Sequence, residues 1–79
     1  MAEVRHHVLE RLPEHSRAIR ERMMADPEFR SLCDNYDDAV EGLKRWEVSQ
    51  DPKKQERIAE FRQLVAELEQ EIVESVTQG

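Results

Sequence analysis

The sequence predicts an all-α protein: an antiparallel, coiled-coil-like helical hairpin with an additional N-terminal helix. Three observations carry this prediction. Only two Gly and three Pro occur in 79 residues, of which 38% are charged and 38% hydrophobic, a composition of long amphipathic helices. Two Asp-Pro pairs, Asp26-Pro27 and Asp51-Pro52, each read as a helix start. In each, Asp caps orphan backbone donors and Pro occupies the first position, where no donor is needed. After each pair runs an apolar stripe at alternating spacings of three and four residues.

The middle segment, residues 27–48, places Phe29, Leu32, Tyr36, Ala39, Leu43 and Trp46 on one such stripe. The last segment, residues 52–77, repeats it with Ile58, Phe61, Val65, Leu68 and Ile72. Between them, Ser49-Gln50-Asp51 is too short to let the second helix run parallel to the first, so the two fold back on each other. Counting outward from the turn pairs Leu43 with Ile58, Val40 and Ala39 with Phe61, Tyr36 with Val65, Leu32 with Leu68, and Phe29 with Ile72. Apolar meets apolar at every layer. At about 1.5 Å per residue each helix is roughly 33 to 38 Å long, which predicts a rod.

The first segment, residues 1–24, is less regular. Val8, Leu12, Ile19 and Met23 form its apolar stripe, interrupted by Pro13, which removes a backbone donor and disfavours a helical Leu12. A short helix before Pro13 and a firmer one from Pro13 to Met24 follow. This segment has five Arg against four Glu, a balance of +1. The middle and last segments, counted with their capping Asp26 and Asp51, carry −4 and −3.

A chain of this size forms one domain, residues 1–79, with a thin core. Its net charge of −6 argues against a nucleic-acid backbone or an anionic membrane as the main partner, because either needs a concentrated basic face. Glu3, Arg5, His6, His7, Glu10 and Arg11 break up any apolar signal-peptide core near the start, and no stretch approaches a membrane span. The single cysteine, Cys33, has no partner for an internal disulfide, which fits a reducing cytoplasm. It lies beside the hydrophobic seam, where a small sulfur packs well.

Few residues point to chemistry. Glu3 and His6 have the Glu-x-x-His spacing of di-iron bundles, and Glu3, His7, Glu10 and Glu14 share a helical face. Such a centre needs further inward carboxylates, whereas the inward positions of the hairpin are apolar. A solvated polar face is therefore expected, with no metal and no cofactor. Arg17, Arg20 and Arg22 could touch phosphates, but Glu14 and Glu21 alternate with them. No glycine-rich loop exists to cradle a phosphate, and a rod provides no pocket to preorganise a nucleophile and base, so no catalytic residue and no enzymatic activity are expected.

Beyond its helix pattern, the chain resembles the YdcH-like family of small bacterial proteins, a domain of unknown function. The resemblance rests on Pro13-Glu14, Ile19, the order Asp26, Phe29, Leu32, Tyr36, the run Leu43-Lys44-Arg45-Trp46-Glu47, and Leu68-Glu69-Gln70-Glu71-Ile72. It spans residues 13–76, with Glu69-Gln70 standing where the family usually has Lys-Asp. It implies a short helical hairpin and a bacterial cytoplasmic origin, and brings no activity with it.

The function expected on these grounds is that of a small non-enzymatic interaction protein, self-associating or docking on a protein partner through helix faces that the hairpin leaves over. The candidate faces are the Val8, Leu12, Ile19, Met23 stripe and the small residues Ala59, Ala66 and Val73, seven apart on the last helix. A symmetric homodimer, in which the first segment lies along a second copy, would bury both. The alternative is a nucleic-acid-associated regulator that uses the Arg-rich first segment.

Overall fold

The computed structural model describes residues 6–77, which are helical almost throughout and contain no strand. Element order is α1 (His7–Arg11), a 3-10 turn (Pro13–His15), α2 (Ser16–Ala25), α3 (Pro27–Glu47) and α4 (Lys54–Thr77). The hairpin of α3 and α4 is the principal packing unit of the molecule. The predicted all-α architecture is thus observed.

Local chemistry explains where each helix begins. Oδ1 of Asp26 accepts from the backbone N–H of Glu28 at 3.0 Å and of Phe29 at 3.3 Å, and Pro27 occupies the first turn of α3. These bonds satisfy two of the four donors that a helix start leaves without partners. Lys44 and Arg45 lie in the last turn of α3, where the helix dipole favours cations. The second Asp-Pro pair behaves differently. Oδ1 of Asp51 accepts from Lys53 N–H at 2.8 Å, its carbonyl accepts from Lys54 N–H, and regular α4 begins only at Lys54. Asp51 and Pro52 therefore form the turn that feeds the helix, which starts two residues later than the expected Pro52.

The core is a single cluster of Val8, Ile19, Phe29, Cys33, Tyr36, Ala39, Val40, Val65 and Ile72. Of the residues expected in the hairpin seam, Phe29, Tyr36, Leu43, Ile58, Val65 and Ile72 are buried, whereas Leu32, Phe61 and Leu68 are half-buried. Trp46 is also half-buried. Phe61 was expected against Val40 and Ala39. Its ring lies over Gly42, one helical turn beyond Ala39 toward the turn.

The first segment corrects two expectations. Val8 and Ile19 are completely buried within the single chain, and Leu12 and Met23 pack half-buried against the same cluster. Val8 and Ile19 are thus covered in cis, where the trans arrangement placed them against a second copy. The physical reason is the turn at Asp26: α2 folds back directly onto α3 and reaches α4, where Arg22 donates to the carbonyl of Ser75 at 3.4 Å. The molecule is accordingly not a two-helix rod. It measures 43 × 33 × 21 Å, because a second layer has been added to one side.

Candidate interaction groove

The short helix α1 acts as a crossbar between the hairpin helices. At one end, the His7 backbone N–H donates to Oδ1 of Asp37 at 2.8 Å and the His7 ring bonds to Glu41, both on α3. His6 Nδ1 shares a hydrogen bond of 2.7 Å with the other oxygen of Asp37. At the far end, Arg11 pairs with Glu69 on α4 at 3.5 Å. Glu69 in turn accepts from the hydroxyl of buried Tyr36 at 2.6 Å. One carboxylate thus joins α1, α3 and α4.

The crossbar has electrostatic consequences. The hydrogen bond from His7 holds the Glu41 carboxyl below the usual range. Burial first, and the Glu69 hydrogen bond second, push the Tyr36 phenol above its ordinary value. The Cys33 thiol, fully buried, is pushed up to about 11 by burial and then by Asp37 and Asp34. A thiol so placed stays protonated and unreactive near neutral pH, which agrees with a packing role.

Because α1 and α2 cover the hairpin only from the level of Val40 outward, the part nearer the turn keeps an open groove. Its floor is Val40, Leu43, Val65 and Ala66. Arg11 closes one end, and Lys44 and Glu47 from α3 face Arg62 and Glu69 from α4 across the rim. The groove encloses about 460 Å³. From Val40 to Glu47 it runs about 10 Å along α3, which is two helical turns.

Of the small residues singled out on the last helix, Ala66 lies in this groove, Ala59 is exposed one heptad nearer the turn, and Val73 is half-buried. Ala59 and Ala66 therefore remain available, as Val8 and Ile19 do not. On the opposite flank of α4, half-buried Phe61 and Leu64, 42% exposed, form a smaller apolar hollow with Arg57 and Glu60. Met24 and Val48 are also exposed, and neither lines the groove or the hollow.

The other sequence-based candidates are dispersed. Glu3 lies outside the described residues, while His7 bonds to Glu41 and Glu10 and Glu14 are exposed. Arg17 pairs with Glu21 at 3.4 Å, and Arg22 pairs with Asp26 at 3.6 Å while lying over the Phe29 ring. The Arg-rich segment is therefore interleaved with acids and does not form one basic face. No helix among the described residues is long and apolar enough to cross a membrane. No family model, no curated protein and no solved structure matches the chain.

Proposed function

We propose that this chain is a helical interaction module that seats an amphipathic helix of a protein partner in the groove between α3 and α4. The observation that supports this reading is the half-length coverage of the hairpin. The N-terminal segment supplies the additional helical layer as far as Arg11, and beyond it no element among the described residues covers the apolar floor of Val40, Leu43, Val65 and Ala66. A docked helix would continue that layer. Small side chains at Ala66 and Ala59 let a helix backbone approach closely, and helix-in-groove recognition places apolar anchors at spacings of three and four residues.

The rim adds direction. Arg11, Lys44 and Arg62 outnumber Glu47 and Glu69, so a partner helix with acidic flanks fits better than a basic one, although the whole chain is acidic. Such a module needs no catalytic group, in keeping with the expectation of a non-enzymatic protein. A displayed library of amphipathic helical peptides, selected on the full chain, tests the reading. Selected peptides should lose at least tenfold in affinity to the Ala66→Arg variant and keep it for Leu64→Asp on the opposite flank. Failure to select any binder, or binders that respond to Leu64 and not Ala66, would overturn it.

A further inference from the structure

We infer that His6, Asp34 and Asp37 form a binding site for a first-row divalent metal ion, which staples the start of α1 to α3. The three side chains come from two elements and each presents one donor atom, all lying within 4.8 Å of one another. His6 Nδ1 is 2.7 Å from Oδ2 of Asp37 and 3.9 Å from Oδ1 of Asp34. Ions of this class bond nitrogen and oxygen at about 2.0 to 2.2 Å, which sets neighbouring donors roughly 3.0 to 3.5 Å apart. The two spacings to His6 bracket that range, so an ion needs a small opening of one and closing of the other, with the exposed Asp34 carboxylate, within 4.8 Å of Asp37, completing the set.

The site is mixed in donor type and half fixed in place, which separates it from an ordinary acidic surface. The His6 side chain is only 10% exposed and that of Asp37 only 18%. Asp37 is also anchored through its second oxygen by the His7 backbone N–H. Asp34, 57% exposed, is one helical turn away on the same face and free to swing inward. Among the described residues, no Lys or Arg head group pairs with either carboxylate. Two carboxylates that, among the described residues, meet one imidazole and one backbone N–H but no Lys or Arg head group form a negative well that a cation would neutralise. One imidazole nitrogen with two carboxylate oxygens suits zinc, cobalt or manganese better than calcium, whose ligands are all oxygen. On binding, the ion takes the place of the Nδ1 proton, which leaves to solvent or moves to Nε2, and water completes the coordination.

The test uses the chelator-treated full chain, titrated with Zn²⁺ by calorimetry and with Co²⁺ by visible absorption. One saturable ion per chain is expected, together with a higher thermal midpoint in the presence of zinc. Asp34→Asn is the decisive variant, because Asp34 is exposed and its loss leaves the Asp37 bonds intact; it should fold normally and bind at least tenfold more weakly. His6→Gln should also abolish the cobalt absorption, and Glu60→Gln, the same charge change on α4, should leave binding unaltered. No saturable binding below millimolar ion, or equal binding by Asp34→Asn, would overturn the proposal. Equal weakening by Glu60→Gln would do so too, because binding would then reflect overall charge.

Discussion

The ring of Phe61 lies so close over Gly42 that a Cβ built on the glycine would stand 2.5 Å from Cε1 and 2.9 Å from Cζ. Glycine within a helix is normally a disadvantage of about 1 kcal/mol relative to alanine. Here it lets the two hairpin helices approach next to the turn. Gly42→Ala should therefore be net destabilising, by about 1 to 2 kcal/mol, because the ring must be displaced. In the Phe61→Ala background the same substitution should become stabilising. Denaturant unfolding of the four proteins forms a double-mutant cycle, and a coupling below about 0.5 kcal/mol would contradict the contact.

Deep and shallow positions of the seam should separate in the same assay. Ile72 is fully buried and should lose about 2 to 5 kcal/mol on replacement by Ala, and Ile19, equally buried on α2, should lose as much. Val48, 82% exposed, should tolerate Asp within about 0.5 kcal/mol. Similar losses at Ile19 and Ile72, independent of protein concentration, are the signature of a stripe covered within one chain.

That stripe marks the limit of what was legible in the sequence. The hairpin could be read because its signals are local: Asp26-Pro27 fixes one helix start, and heptads hold Tyr36 and Val65 to one face. Whether Val8 and Ile19 pack in cis could not be read, since periodicity states that a face must be covered and not by what. The groove was legible only in part. Ala66 stood out as a small residue, but Arg11 and Val40 reach it only through the fold. Gly42 escaped notice because a search for apolar stripes passes over a residue with no side chain. The His6 and Asp37 pairing joins positions 31 apart in the chain, beyond any spacing rule.

Alkaline pH should weaken the fold through Tyr36 and Cys33. Both are held above their ordinary values, mainly by burial. The sign follows: the unfolded chain releases these protons near its ordinary values of 9.0 and 10.0 while the folded chain retains them. Their contribution is complete below pH 9 and declines as pH rises above it. Tyr36→Phe should lower stability at pH 7 by about 0.5 to 1.5 kcal/mol, through loss of its hydrogen bond to Glu69, and flatten the alkaline decline. Unfolding midpoints measured from pH 7 to 11 give both, and an unchanged slope in Tyr36→Phe would contradict the assignment.

Acid should act at the crossbar. The His7 hydrogen bond holds Glu41 below its ordinary value of 4.5, so its stabilising contribution is present above that value and is lost as pH falls below it. Glu41→Gln should make stability less dependent on pH between about 5 and 3. Amide exchange in α1 would localise the effect, with protection at Val8 and Leu9 decreasing in acid for the parent protein and already reduced in the variant.

The cis packing of the first segment also predicts what its removal does. Val8 and Ile19 cover the flank of the hairpin that includes Cys33, Tyr36 and Val40, all between 0% and 1% exposed. Deleting residues 1–24 would bare that flank and remove the Arg11 and His7 bonds to α4 and α3. A contiguous apolar surface of that kind is unstable in water and seeks cover. The truncated hairpin should therefore be markedly less stable than the full chain, and should self-associate through the newly bared side. In a trans arrangement the order is reversed, with a full-length dimer falling apart on truncation. Light scattering of both proteins across micromolar concentrations distinguishes the two, because only cis packing makes the shorter chain the more associated one.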